Sequence, residues 1–387
     1  MPRAHAERRA CGIQTAWTCA DTPDKAITEI AQVLDPSDIG QILVFFSQPY
    51  EAESLCAALS AKFPDVPVAG CSTSGEITSD GFSEQSVLVV AFPEQGFHFV
   101  SSVIPEVKAL SVDRASEAVQ ALRARLDKPD GAHYDNLFAI SLIDGLSRCE
   151  EAIVSAIAWA LGDIPLVGGS AGDGLTLSGT SLLHNGRVYR GAALLLLVET
   201  EHPVRSFYCD HFEPTETKLV VTSSDTSTRT VYELNAEPAA LEYANSVGLE
   251  TSSLAPMSFA AHPVVVRIGG DYYCRSIQRV NDDGSLSFFC AIDDGVVLTV
   301  AEPRDMLKSM ETEMERLDEA VGGVDFVLGF ECVLRRLDAE NRQMKRKVSE
   351  LYRRYHVVGF HTYGEQYNAM HLNQTFTGVA IGRQGGA

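Results

Sequence analysis

The chain has 387 residues, 45% of them hydrophobic, enough to bury a sizeable core and to fill two domains or a little more. Its formal net charge of -21 argues against nonspecific binding of DNA or RNA, because no surface can concentrate enough Lys and Arg to displace phosphate counterions. The longest clean apolar run, 192–198, falls well short of a membrane span, and the N-terminus lacks the apolar core of a secretory signal, so a globular cytoplasmic protein is expected.

In chain order, residues 1–24 read as an exposed basic tail and a first strand. Residues 25–222 read as one domain containing a duplication. The short apolar run ILVFF at 42–46 predicts a buried strand. Helical spacing over 51–63 then puts Leu55, Ala58, Leu59 and Phe63 on one face, and Pro64 and Pro67 end that helix. A loop rich in Gly and Ser follows, with Gly70, Ser72 and Glu76, before a strand at 86–92. The pattern returns as a strand at 137–143, a helix at 150–161 with Ile153, Ile157 and Ala160 inward, a loop at 168–174 with Gly168, Ser170 and Asp173, and a strand at 191–198.

A polar, turn-rich stretch at 223–228 opens a second domain, 223–387. Short antiparallel strands are predicted at 230–234, 264–268, 272–280, 286–289 and 296–300, with hairpin turns at GGD 269–271 and DDG 282–284. A helix at 305–317 precedes a third copy of the pattern. That copy has a strand at 326–330, a long helix with Leu337, Met344, Val348, Leu351 and Tyr355 inward, a loop at 359–364 and a strand at 375–381. The basic run 342–354 is read as that helix's solvated face.

The phrases VPVAGCSTSGE at 66–76, IPLVGGSAGDG at 164–174 and VVGFHTYGE at 357–365 mark the copies. At one constant offset the first and third share Gly70 with Gly359, Thr73 with Thr362, Gly75 with Gly364, Glu76 with Glu365 and Gln85 with Gln374. The architecture expected is α/β, with duplicated strand, helix, Gly-loop and strand units and mixed sheets, whose loops line a common cleft. The nine cysteines are odd in number, scattered and free of CxxC pairs, which fits reduced thiols and argues against a tetrahedral zinc site or a covalent c-type haem. Cys149 sits at a predicted helix start, where the dipole can lower a thiol pKa, although a small, partly buried structural residue is the simpler reading.

The Gly loops do not suit a phosphate. They follow helices, lack the Gly-Lys-Ser/Thr of a P-loop, and carry Glu76, Asp173 and Glu365. Carboxylates in a cleft suit an ammonium group instead. Enzymatic roles for a Glu76/Glu365 acid/base pair, or for Ser72 or Cys71 beside His361 or His371, lack a third orienting group and a GxSxG elbow, and no catalysis is expected.

The motifs AGCSTSGE at 69–76, GGSAGD at 168–173 and HNGRV at 184–188 resemble the FIST N domain of bacterial sensory proteins. ELNAEPA at 233–239 and GFHTYGE followed by NQT at 373–375 resemble the FIST C domain. Within that family, DHFEPT at 210–215, YYCRSI at 272–277 and FCAIDD at 289–294 resemble the haem-binding, nitric oxide sensing branch. The resemblance implies a cytoplasmic signal-transduction sensor holding non-covalent haem b. Having no output domain of its own, it would regulate a separate histidine kinase or cyclic-di-GMP enzyme, alone or as a homo-oligomer. The wider family implies the alternative of an amino-acid sensor without haem.

A ferrous haem needs a neutral imidazole, an apolar pocket, and basic or hydroxyl groups for its propionates. Of the ten histidines, His5, His98, His133, His184, His202, His262 and His356 lie in tail, turn, edge or helix-end settings. His211, beside aromatics near the domain junction, is the first choice for the iron, with Phe212, Tyr272 and Arg275 around it. His371, just past the third loop, is the alternative. His361, in the loop slot held by Ser72 and Ser170, reads as a polar lining residue together with Glu365.

Overall fold

The computed structural model describes residues 4–126 and 136–383, so His133 lies outside the described residues. Side chains alternate along the strand Gln41–Phe46: Leu43 and Phe45 point into one core, while Ile42, Val44 and Phe46 point into another, where Leu55 and Leu59 of the helix Ala52–Lys62 meet them. That strand pairs parallel with Val68–Ser72 and antiparallel with Val87–Phe92. The same arrangement recurs with Asn136–Ile143 between Leu166–Ser170 and Ala193–Thr200, and with Val324–Cys332 between Val357–Thr362 and Phe376–Gly382. Each unit also carries an outer strand from earlier in the chain: Gln14–Thr18, Phe97–Ile104 and Val204–Cys209. The repeat is therefore three complete units, and the third begins at 204, well before the rest of its sheet.

The units exchange hairpins in a closed cycle. Glu76–Thr78 and Gly81–Ser83, from the first unit, extend the third unit's sheet through Val357–Thr362. Glu365–Tyr367 and Met370–Leu372, from the third, extend the second through Leu166–Ser170. Leu182–His184 and Arg187–Tyr189, from the second, extend the first through Val68–Ser72. The three sheets enclose one apolar core, to which Phe45, Phe92, Phe138, Leu196, Phe326 and Phe360 contribute. The outer face of each sheet is covered by its own helices, making three satellite cores.

The repeated phrases begin as strands rather than as the loops expected, because each runs fully buried between a parallel neighbour and a borrowed hairpin. Their shared glycine follows from that packing. A Cβ on Gly70 would lie 2.0 Å from the Val44 carbonyl oxygen, one on Gly168 2.0 Å from that of Ser141, and one on Gly359 1.7 Å from that of Gly329. In all three units only glycine allows the paired strands to approach this closely.

Residues 212–303 are inserted between the third unit's outer strand and its helix Met306–Ala320. They form an eight-stranded sheet around Val221, Val231, Tyr243, Phe259, Leu286 and Leu298. The turn-rich start expected at 223 falls inside the strand Phe212–Asp225, and the strand expected at 272–280 divides at Ser276 into Asp271–Arg275 and Ile277–Val280. The single long helix expected in the third unit is two, Val333–Asn341 and Lys345–Arg354, with Gln343 at a φ of 57° between them. Among the described residues no helix is long and apolar enough to cross a membrane.

Candidate functional site

The three repeated segments meet directly where the exchanged hairpins begin. Ser74 N–H donates to His361 O at 2.9 Å and His361 N–H to Gly75 O at 2.8 Å. Ser170 N–H donates to Gly364 O at 2.8 Å, and Gly172 N–H to Ser72 O at 3.0 Å. First meets third, third meets second, and second meets first. The expected equivalence and convergence are present, but the segments bond to one another instead of lining an open cleft.

Their carboxylates serve this junction. Glu76 is fully buried and accepts from Thr73 Oγ1 at 2.6 Å, Ser47 Oγ at 2.9 Å and Ser86 Oγ. Glu365 is fully buried and accepts from Thr362 Oγ1, and from Thr375 through Oγ1 at 2.8 Å and N–H at 3.2 Å. In both, hydroxyls three residues before and ten residues after close the root of the exchanged hairpin. Burial pushes the Glu76 pKa up to about 7 and that of Glu365 to about 8, although the hydroxyl donors oppose it. The second unit reaches the same end with Asp144, which accepts from Thr180 Oγ1 and, at 2.6 Å, from Gly191 N–H. Asp173 accepts from the N–H groups of Leu177, Ser178 and Gly179 and from the Tyr363 hydroxyl. Burial raises its pKa, but these donors outweigh that and hold it below the usual carboxylate range. None of Glu76, Asp173 and Glu365 is a free ligand-facing carboxylate, because each accepts hydrogen bonds from several donors of its own fold.

His211 lies in a buried charged network. Arg335 Nη1 donates to its Nδ1 at 2.7 Å, and its Nε2 faces Asp338 Oδ2 at 3.5 Å. Arg335 Nε continues to Glu331 Oε1 at 3.2 Å, and Glu331 Oε2 lies 3.2 Å from Nε2 of His361. The His361 ring meets Phe82 edge-on. Burial lowers the His211 pKa to about 4, so Nδ1 accepts and Nε2 carries the proton. Haem iron requires an imidazole nitrogen with a free lone pair; Arg335 takes that of Nδ1, and Nε2 carries the proton facing Asp338 without a hydrogen bond, so in this arrangement His211 offers the iron none. Phe212 packs against its ring, tilted by 38° with 4.1 Å between centroids, and packs with Tyr272 at the root of the insertion. Sequence reading passed over Glu331, Arg335 and Asp338, whose i, i+4, i+7 spacing resembles an ordinary surface pairing.

His371 differs. It is buried, and neither ring nitrogen has a hydrogen-bond partner; both polar side-chain atoms of Asn373 and Oε1 of Gln374 are likewise unpartnered. Desolvation lowers its pKa to about 4. Arg275 Nη1 lies 3.4 Å from the His371 carbonyl oxygen. A neutral imidazole with an unengaged nitrogen meets the chemical requirement for an axial ligand. Among the described residues no group of three or more His, Cys, Asp or Glu is placed to hold a bare metal ion. All nine cysteines are free, and burial raises the Cys149 thiol pKa rather than lowering it.

A cavity of about 310 Å³ lies where the second unit, the third unit's Tyr363 and the insertion meet. On its wall, at the start of the helix Glu150–Leu161, the buried Glu150 carboxylate receives Arg229 Nη2 at 2.6 Å. The same nitrogen lies 2.6 Å from Glu151, and Arg229 Nη1 donates to Phe289 O at 2.6 Å. Desolvation raises the Glu150 pKa to about 7, opposed by Arg229. Arg148 and Arg279 also line the cavity; both are exposed, and neither has an ion-pair partner among the described residues. This arrangement can take a ligand bearing an anionic group, and its charged residues did not stand out in the sequence because Arg148 and Glu150 lie far along the chain from Arg229 and Arg279.

A three-unit α/β body with a polar cavity beneath an inserted sheet defines a ligand-binding class of protein. The FIST N domain model matches residues 41–237 and the FIST C domain model residues 239–368. The chain belongs to the FIST family, whose domains are sensory signal-transduction domains that bind small ligands. The border between the two matches falls inside the insertion, at the start of the helix Ala239–Ser246, so the family's division does not follow the three structural units. No curated protein matches the chain.

Proposed function

We propose that the protein senses a small zwitterionic metabolite of the amino-acid class, bound in the cavity between the second unit and the insertion, and passes the signal to a separate partner such as a histidine kinase or cyclic-di-GMP enzyme. The observation carrying this reading is the pair of unpartnered guanidiniums, Arg148 and Arg279, beside the buried Glu150–Arg229 pair in a polar cavity of about 310 Å³. That volume suits a metabolite of few atoms. The arginines would take a carboxylate, and Glu150, shared with Arg229, would take an ammonium. Since both the body and the insertion line the cavity, a ligand there would bias how they pack. Calorimetric titration of the full chain with a panel of amino acids tests it: at least one should bind, and Arg148→Ala with Arg279→Ala should weaken it about tenfold or more. Absence of binding across the panel, or binding that ignores both arginines, refutes the reading.

One observation favours a second reading, a haem-based nitric oxide sensor: the unpartnered imidazole of His371. Hemin added to the purified chain would then give a Soret band that shifts with nitric oxide in the ferrous state and changes in His371→Ala but not in His211→Ala. A chain that stays colourless and folded excludes it.

A further inference from the structure

Each of the three sheets has an outer strand from the start of its unit, and the three edges are treated differently. Gln14–Thr18 is covered by the antiparallel strand His5–Arg8. Phe97–Ile104 is guarded by Arg125, whose Nη1 donates to Ser101 O at 2.8 Å. Val204–Cys209 pairs only with Phe376–Gly382, and among the described residues no hydrogen bond reaches its other side. The phase of this ladder follows from the bond of Gly382 N–H to Pro203 O at 2.8 Å, which assigns Arg205, Phe207 and Cys209 to the sheet. Val204, Ser206 and Tyr208 therefore turn their N–H and C=O groups outward. Natural sheets protect such edges with proline, charge or a covering segment, and this one carries only Arg205.

Two grooves flank the edge. One of about 590 Å³ is lined by Arg205, Ser206, Tyr367 and Trp159, and Trp159 is 71% exposed. The other, of about 780 Å³, is lined by Tyr208, Asp210 and Lys308. A tryptophan so exposed beside an open strand has the composition of a binding hot spot.

We propose that Val204–Cys209 docks an extended segment of a partner polypeptide, which adds antiparallel as His5–Arg8 adds to Gln14–Thr18 and sets an apolar side chain against Trp159. The occupant is read from the fold's own precedent: at the equivalent edge the covering piece is a four-residue strand, not a second sheet. The site also adjoins the root of the insertion, where Arg304 N–H donates to His211 O at 2.6 Å, so a change in the insertion's seating would be felt at the docked strand.

The test uses the full-length chain, immobilised and screened against displayed random peptides of ~10 residues, a length that spans the edge. Enriched peptides should slow amide hydrogen exchange at Val204, Ser206 and Tyr208, and should bind about tenfold or more weakly to Ser206→Pro and to Trp159→Ala. Ser206 does not use its N–H within its own sheet, so the proline variant should keep its circular dichroism and melting; should it not, Trp159→Ala, on a helix outside the ladder, carries the test. No enriched peptide, or peptides indifferent to both substitutions, overturns the proposal. A concentration-dependent dimer abolished by Ser206→Pro also overturns it, giving the edge to a second copy of the chain.

Discussion

Arg335 Nη1 donates to Nδ1 of His211 at 2.7 Å with both side chains wholly buried, and this bond ties the root of the insertion to the core strand carrying Glu331. The guanidinium is compensated by Glu331 on one side and satisfied by an imidazole on the other. Arg335→Ala should leave Glu331 without its cationic partner and destabilise the protein by about 3–5 kcal/mol in denaturant unfolding, the cost of breaking a buried pair. The double variant Arg335→Met with Glu331→Gln removes both charges and should recover much of that loss. Equal losses in the single and double variants would show that the pair is uncoupled.

The raised pKa values of Glu76 and Glu365 dictate a pH dependence. A carboxyl whose folded-state pKa lies above its unfolded value binds its proton more tightly when folded, so it adds stability at low pH that is lost as pH rises. For Glu365 the window runs from the ordinary value of 4.5 to about 8, and for Glu76 from 4.5 to about 7. The melting temperature of Glu365→Gln should therefore fall less between pH 5 and pH 8 than that of the parent, both pH values lying within or at the end of that window. A parallel decline in the two proteins would contradict the assignment.

Glycine substitutions separate close packing from local conformation. Gly168→Ala, whose Cβ would lie 2.0 Å from the Ser141 carbonyl oxygen, should cost at least ~3 kcal/mol or prevent folding, as overpacking against backbone does. Gly174→Ala, at a φ of +77° with nothing within 4 Å, should cost only ~1–2 kcal/mol, the penalty of a left-handed residue. Comparable losses at the two sites would refute the packing account.

Tyr363→Phe removes the hydroxyl that donates to Asp173 Oδ1 and accepts its N–H at 3.3 Å, and should cost roughly 1–3 kcal/mol at neutral pH. Because Asp173 has a lowered pKa, its contribution is present above the unfolded value of 3.8 and is lost as the pH falls through the folded one. The difference in melting temperature between the variant and its parent should shrink in acid.

The parts of this fold legible from sequence were those carried by a local pattern. The short apolar run at 42–46 and helical spacing at 51–63 announced the strand and helix that the structure contains, and the glycines at 70, 168 and 359 announced equivalent places. The hairpin exchange was hidden because Glu76–Thr78 and Gly81–Ser83 are three residues each, too short to show alternation. The third unit's true start was hidden by the residues of the insertion that separate Val204–Cys209 from its neighbours. At the candidate site, the motif residues proved to be the mortar of the three-way junction. The cavity's charges are Arg148 and Glu150 at one helix start and Arg229 and Arg279 in the insertion, two sets that come together only once the insertion is seated. The surroundings of His211 were hidden by distance, since Arg335, which donates to its Nδ1, lies 124 positions away in the chain.

Because every sheet is completed by a hairpin belonging to another unit, no third of the molecule is a finished object by itself. The second unit's sheet, whose own strands lie between 97 and 200, waits for 365–372 to supply its last two strands, the first waits for 182–189, and the third for 76–83. During synthesis the second unit must therefore persist with an unfilled edge until nearly the whole described chain has left the ribosome, which makes folding slow and exposes it to association with other nascent chains. A cut between residues 237 and 239, where the two family matches divide, would yield two fragments that each lack strands held by the other, and only their co-expression should restore either one.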